Sequence, residues 1–579
     1  MLFNTKKTSF KRNLCPFKRD SLPLHLSLYK WRSERRMKKW FLLIFVCLVY
    51  VVLGLQGLDM TDEGWVLSGY QQIYEAPESV SYLFLYYNAI AAGGIWQLLF
   101  GHWGILGFRI LSALCITATV ALVYQLLRKE VSYTALFIGI IVVILCNNYG
   151  TIVFHHNLFS ALMTTAAAWM LINGLDRDSQ KHVWIGGMLL GINYFTRIPN
   201  IAVTSLLALL IVHARFRTSG APQQPTISTW KMLLSALLSI TSGCLLVLTY
   251  LFAVGHLSLF IDNLAIGFSA TESADSTHNL SYLLGISLTN FQCMGQQLLY
   301  TAFPLMLWKE QDFICLVYAL VTIGLCFLMV WHRQEKRTLY STLAALLIMY
   351  TQPLGSDFAI QNMGVYSIWI ALPLFCQFIA ELWQRLSRAR WAWTRWVLLT
   401  WGLLVITPFL YRNAQALTFN CYNDPGPRYR KTYRIHHPLA TIYTSQAYQQ
   451  GIDSLLAGLQ PYIHENDTLL CFQHTPMVHY LTHTRPYLAN PWVWTYDSSR
   501  FDILLKETAR RNGLPHYILC DKGQLGYWHM PNPDWNNDQA PEDYVHKNGR
   551  IHTMKTFIAQ NHYTVVWEND CFVLMATKQ

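Results

Sequence analysis

Charge is scarce in this 579-residue chain: 13% of its residues are charged, against 53% hydrophobic and 14% aromatic. A soluble globular domain carries about a quarter charged residues, so the deficit excludes an ordinary soluble enzyme. Paired cysteines are missing as well. The 13 cysteines are scattered, mostly through apolar stretches, and no two form a C-x-x-C pair. They read as small buried hydrophobes, and for Cys421, Cys471, Cys520 and Cys571 spacing alone defines no disulfide. Internal repeats are also absent. Finally, Lys and Arg are missing from three long stretches, residues 58–104, 255–308 and 353–364.

What is present is apolar sequence in long runs. "FLLIFVCLVYVVLGL", "ILSALCITATVALVYQLL", "LLSALLSITSGCLLVLTYLFAV" and "FICLVYALVTIGLCFLMV" approach or exceed the length needed to cross about 30 Å of hydrocarbon. The net charge of +12 gathers in the N-terminal "KWRSERRMKKW" and in short linkers, "LLRKE", "HARFR", "HRQEKR" and "QRLSRARWAWTR". Alternation of basic and Lys/Arg-free linkers is the positive-inside pattern, so the charge reports topology and not a nucleic-acid partner.

Taking the basic linkers as cytoplasmic predicts a mainly α, polytopic membrane protein of about eleven spans, followed by a small extracytoplasmic α/β domain. Residues 1–39 read as a basic cytoplasmic tail without fold, with "MKKWFLLIF" at Met37 a natural start. Residues 40–411 read as the membrane domain and 412–579 as the α/β domain. Segments 81–101 and 291–308 are ambiguous. The first, rich in Tyr, Trp and Asn, is assigned to the interface or a re-entrant turn, because counting it as a span would place "LLRKE" outside. In the C-terminal part "TLLCF", "HYILC", "TVVWE" and "CFVLMA" read as strands, and "RFDILLKETARRNG" as a helix ending at Gly513.

Chemistry concentrates where the first apolar run stops, in "GLDMTDEGWVLSGY". Asp59, Asp62 and Glu63 fall within five positions. On a helix, Asp59 shares a face with Asp62 or Glu63, while Asp62 and Glu63 diverge by about 100°. The plain reading is a capped helix start whose acids complement the positive helix end. The surrounding loop has no Lys or Arg, so the acids are otherwise solvated, metal-bound or held for a substrate.

The stretch "DMTDEGWVLSGYQQIYEAPESVSYLFLYYNAIAAGGIWQLLFGHWGILGFRILSALCITATVALVYQLLRK" resembles the amino-terminal part of the C-type glycosyltransferase superfamily. The nearest branch is that of the protein O-mannosyltransferases and lipid A aminoarabinose transferases. The resemblance rests on Asp62-Glu63 after the first span, the aromatic segment ending in Phe100-Gly101, and Arg109 in "FRILSAL" opening a span that ends in "YQLLRK". It departs in keeping one proline, Pro77, and no lysine in "EAPESVSY", and in having "FHHN" in the second outer loop. The WWDYG motif of oligosaccharyltransferases is absent.

The resemblance implies transfer of a sugar from a polyprenyl-phosphate donor to a protein, lipid or glycan acceptor at the outer membrane face. A phosphate-linked sugar already carries a good leaving group. The reaction then needs a carboxylate to accept the acceptor's proton and cations to hold the departing phosphate. Asp62 is the expected base and Glu63 an orienting group. Asp59, Arg109, Arg197 in "NYFTRIPN", and Asp357, Gln361 and Asn362 in "QPLGSDFAIQN" are substrate-binding candidates. Arg109 is equally able to pair with the acidic loop, and Arg197 to snorkel at the interface. No certain cofactor is implied; a possible divalent metal would fall to Glu63, His155 or His156, although adjacent histidines suit one tetrahedral site poorly. His474, His479 and His483 lack ligand spacing, and their aromatic-rich surroundings fit an acceptor-side or structural module. The expected setting is a bacterial inner membrane. Two other classes fit the composition: a flippase or transporter for a lipid-linked glycan, which would show repeated halves, and a non-catalytic membrane scaffold.

Overall fold

In the computed structural model, residues 24–146, 152–218, 229–270, 280–300, 310–356, 358–388, 393–419, 421, 423–424, 426–523 and 548–577 are described. The first helix, Leu24–Leu53, shows how the helical body is built. Leu42, Leu43, Val46, Tyr50 and Leu53 are buried, while Met37, Phe41, Ile44, Leu48 and Val52 form an exposed stripe at helical spacing. A helix that is apolar on both its packed and its open face suits hydrocarbon, not water.

Five helical runs are long and apolar enough to cross a membrane: Pro77–Leu127, His156–Asp176, Trp230–Ala253, Phe313–Trp331 and Thr394–Gln415. The pair Ile360–Ser367 and Ala371–Arg388, bent by 75°, makes a sixth if taken as one crossing. The eleven crossings expected from hydropathy are therefore not met as eleven long helices among the described residues. Tyr133–Leu145 and Ile198–Ala214 are shorter apolar helices, and the apolar part of Leu24–Leu53 follows directly on Arg36, Lys38 and Lys39.

The ambiguous 81–101 segment forms a 3-10 stretch, Pro77–Tyr86, and a helix, Tyr87–Phe100, that precede the long helix Gly104–Leu127. Tyr82 N donates to Ala489 O (3.1 Å) and Ile105 N to Leu439 O (2.9 Å). Both ends of the segment thus meet the C-terminal part of the chain. The described part of 291–308 lies in helix Leu280–Tyr300.

Close approach is needed where Gln180–Tyr194 packs on Thr229–Ala253. A Cβ on Gly191 would lie 2.1 Å from the Ile240 carbonyl oxygen, and one on Gly187 2.0 Å from Ser239 Oγ. The "GMLLG" spacing is the small-residue device by which helices approach in lipid.

The basic linkers converge at one end of the body. Arg337 bonds Glu130 (2.5 Å) and Asp176 (2.7 Å), and His213 bonds the Tyr340 hydroxyl (2.8 Å). At the other end sits the C-terminal module. It begins with two short strands, β1 (Tyr433–Arg434) and β2 (Tyr443–Thr444), paired antiparallel. A five-stranded sheet follows, from β3 (Thr468–Phe472), β4 (Arg485–Pro486), β5 (Tyr517–Asp521), β6 (Tyr563–Glu568) and β7 (Phe572–Thr577), in the order β4-β3-β5-β7-β6. Strand β3 is parallel to β4 and to the central β5, whereas β7 runs antiparallel to β5 and β6. Helices Gln446–Leu459, Pro476–Thr482, Ser498–Asn512 and Asn548–Gln560 accompany it. Gly513 follows Ser498–Asn512 at φ 81°, a conformation that favours glycine. Helix Thr394–Phe419 runs several residues past position 412, where composition changes.

Candidate functional site

The acidic loop is where the helical body and the C-terminal module meet. Its helix is Asp62–Gln72, and the three acids have three different surroundings. Asp59 is 5% exposed. Its Oδ1 accepts from Thr61 N and Thr61 Oγ1, both at 2.8 Å, and from Asn423 Nδ2 at 3.1 Å, while Oδ2 accepts from Glu63 N at 2.9 Å. Asp59 therefore satisfies the open N–H groups of the helix start from outside the helix. Burial raises its carboxyl pKa, and these bonds oppose the rise.

Glu63, 1% exposed, is held in a two-bond fork by Arg109: Nε to Oε1 at 2.8 Å and Nη2 to Oε2 at 2.6 Å. Burial raises the Glu63 pKa, and the guanidinium works against it. The remaining Arg109 donors reach the carbonyls of Gly54 (3.0 Å), Gln56 (3.1 Å) and Gly57 (2.5 Å). Arg109 thus ties the end of the first helix to the acidic helix, a buried pair of the strong, bidentate kind. Asp62 is the acid that keeps a partly exposed side chain.

The C-terminal module grips the same loop. Gly57 N donates to Tyr443 O (2.7 Å) and Tyr443 N to Leu55 O (2.9 Å). Asp424 Oδ2 accepts from Leu58 N (3.1 Å) and Thr444 Oγ1 (2.6 Å), and its Oδ1 pairs with Lys431 Nζ at 3.3 Å. Arg428 Nη1 donates to Leu53 O (2.7 Å). Helix Pro476–Thr482, which leaves the C-terminal end of β3, lies on Asp62–Gln72. Met477 N donates to Met60 O (3.1 Å), and a Cβ on Gly64 would meet Met477 N at 2.2 Å. Sequence reading missed Asp424, Lys431, Arg428 and Tyr443. They lie more than 360 positions from their partners in the loop, and the one local signal was the polar density of "NDPGPRYRK".

One turn beyond Asp62, Trp65 faces three elements at once. Its Nε1 donates to Asn490 Oδ1 (3.0 Å), and its ring lies edge-on to His156 (6.2 Å), Trp492 (6.3 Å) and Tyr86 (5.7 Å). His156 stacks on Tyr86 at 4.0 Å and lies within reach of the Arg197 charge. Trp65, on the helix that Asp62 begins, thus contacts His156, which feels the Arg197 charge. Arg197, 3% exposed, donates to Gln352 O (3.0 Å) and Leu354 O (2.9 Å), and Pro199 packs on Gly355, which has φ 78°. The turn at Arg197 and Pro199 thus meets the turn at residues 352–355. Asn362 Nδ2 donates to Ser356 Oγ (3.2 Å), Gln361 is partly exposed beside it, and Asp357 lies outside the described residues. The buried Gln352 amide and His156 Nδ1 find no hydrogen-bond partner among the described residues, so each is a polar group that water or a ligand could satisfy.

His155 and His156 do not converge. His155 Nδ1 accepts from Asn157 N (3.1 Å), and its Nε2 faces the Tyr366 hydroxyl at 3.2 Å. Burial pushes its pKa down to about 3. Glu63 is occupied by Arg109. Among the described residues no group of three His, Cys, Asp or Glu is arranged to hold a metal ion. In the module, His479 is buried, pushed down to about 3, and paired with Thr484 Oγ1 at 3.0 Å. His474 accepts from Trp492 Nε1 (3.4 Å), and His483 pairs with Glu75 (2.8 Å).

Neither a protein-family model nor a curated protein matches the chain. Solved structures of an oligosaccharyltransferase from Archaeoglobus fulgidus are similar to it. The protein AglB, in complex with an inhibitory peptide and a dolichol-phosphate, aligns at 12% identity and TM-score 0.43, covering 84% of this chain and 69% of that one. The form tethered to an acceptor peptide containing the NVT sequon aligns at 11% identity and TM-score 0.45, covering 93% and 74%.

Proposed function

We propose that the chain is an integral membrane glycosyltransferase of the C type. It moves a sugar from a polyprenyl-phosphate donor to an acceptor hydroxyl at the outer face, with Asp62 as base. The observation that carries this reading is the division of labour among the three acids. Asp59 is buried at the helix start and Glu63 is buried against Arg109, while Asp62 is the one of the three that is partly exposed, one turn before Trp65.

In the reaction the acceptor O–H gives its proton to Asp62 as its oxygen bonds to the anomeric carbon. The bond from that carbon to the phosphate oxygen breaks, and polyprenyl phosphate departs. The Arg197 charge and the polar atoms of His156 and Gln352 favour the leaving phosphate. Arg109 is spent on Glu63, so its part is positioning. The O-mannosyl or aminoarabinosyl branch, about eleven crossings, a bacterial inner membrane, an outward C-terminal module bounded near 412, and a protein, lipid or glycan acceptor complete the proposal. Gln361 and Asn362, with Asp357 in the same loop, are its sugar-hydroxyl contacts.

The test is Asp62→Asn in membranes, with glycan profiles compared at equal protein level. Loss of transfer at unchanged stability supports Asp62 as base. Full transfer removes it, and an unaltered glycan profile on deleting the whole chain removes the transferase reading.

A further inference from the structure

At the end of the helical body opposite the acidic loop, a cleft of about 270 Å³ opens sideways between the first helix and helix Tyr133–Leu145. It is lined by Met37, Lys38, Phe41, Tyr133 and Phe137. We propose that this cleft is a binding site for an anionic glycerophospholipid, with one acyl chain in the cleft and the phosphate at Lys38 and Lys39.

Three observations carry the proposal. The first is the lining. Phe41, Phe45, Phe137 and Tyr133 form a ladder with ring centroids 5.7–6.4 Å apart, and almost all of the cleft's surface is apolar. A protein interior closes such gaps; one left open on the lateral face is complementary to a hydrocarbon chain. The cleft also continues the exposed stripe Met37, Phe41, Ile44, Leu48 and Val52, so a chain lying along that stripe enters without leaving apolar surface.

The second is depth. Lys38 is fifteen residues before Leu53, the end of the helix, or about 22 Å along its axis. The acidic loop begins just past Leu53, so the cleft lies towards the other end of the helix, where Arg36, Lys38 and Lys39 stand.

The third is charge. Arg36 and Lys38 are exposed and Lys39 partly so, and Arg128 and Lys129 precede Tyr133 by four or five positions and are exposed. Lys38 stands beside Tyr133: its carbonyl accepts from the Tyr133 hydroxyl (3.1 Å), and its Nζ is 5.7 Å from the Tyr133 ring centroid. The ammonium thus lies beside a ring that lines the cleft. Basic residues beside a membrane favour anionic lipid over zwitterionic lipid.

The site is independent of the proposed transfer reaction and is tested without it. The full chain, purified in detergent, is exposed to an equimolar mixture of phosphatidylglycerol and phosphatidylethanolamine with identical acyl chains. Retained lipid is read by native mass spectrometry. Wild type is expected to retain phosphatidylglycerol preferentially. Lys38→Gln/Lys39→Gln should lower that preference by roughly fivefold per lysine, while Phe137→Trp, which fills the cleft, should lower retention of both lipids at an unchanged unfolding midpoint. An unchanged preference in the double lysine variant overturns the headgroup assignment. Undiminished retention in Phe137→Trp overturns the cleft as the site.

Discussion

Glu63 and Asp62 are adjacent in sequence, yet their substitutions should fail in different ways. Replacing Glu63 by Gln leaves the Arg109 guanidinium, 4% exposed, without its carboxylate. Replacing Arg109 by Met leaves Glu63 buried without its guanidinium, and removes the Arg109 bonds to the Gly54, Gln56 and Gly57 carbonyls, of which Gln56 O keeps Arg428 Nη1 at 3.4 Å. Removing one partner of a buried pair costs about 3–5 kcal/mol, and each lost carbonyl bond adds about 1 kcal/mol. Arg109→Met is therefore the costlier change. Glu63→Leu with Arg109→Met removes both charges, and the double variant should be more stable than the single variants predict by sum. Asp62→Asn, on a partly exposed first-turn residue, should cost about 1 kcal/mol or less while abolishing transfer. The assay is the unfolding midpoint of each purified variant alongside its glycan profile in membranes. A Glu63→Gln protein with a wild-type midpoint would refute the structural role of the pair. Loss of transfer in that stable variant, with Asp62→Asn still active, would reverse the roles of the two acids.

Other consequences are open to measurement. His479 is neutral in the folded protein down to about pH 3, whereas unfolded histidine protonates near 6.5. Its contribution is complete above pH 6.5 and is lost as pH falls towards 3; at pH 5 the loss is about 2 kcal/mol. Unfolding midpoints between pH 7 and 5 should fall less steeply in His479→Asn. Gly64→Ala places a methyl carbon 2.2 Å from Met477 N; the overpacking should cost at least about 1–3 kcal/mol, visible as faster proteolysis of the C-terminal module. Asp424→Asn leaves Lys431, 1% exposed, without its carboxylate. A loss of about 3–5 kcal/mol is expected, and a wild-type midpoint would show that the pair does not hold the loop.

Local patterns showed much of this in advance. "TLLCF" is β3 without a residue's difference, and the helix from Ser498 stops at Asn512, because strand chemistry and a left-handed glycine are short-range facts. The acidic helix start was equally legible, since acids at a positive helix end need no distant partner. What each acid does was not. Arg109 stands 46 positions from Glu63 and could serve a phosphate or the loop by any local criterion; the fold spends it on the loop. The crossings suffered similarly. Hydropathy counts apolar length, but the segment 81–101 has both ends at the C-terminal module, and only that placement shows its course.

The amino-acid sequence by itself determined that this chain is apolar enough for a membrane, which linkers are basic, and that three acids follow the first apolar run. Those properties are sums or short-range patterns along the chain, and burial does not alter them. The tertiary structure alone decided that Asp59 also binds Asn423, that Glu63 is neutralised by Arg109, and that Asp62 is the acid left partly exposed. It decided too that a distant module locks the loop through Asp424, Lys431 and Tyr443. Charge pairing and burial depend on which surfaces meet across hundreds of residues, and no local pattern carries that information.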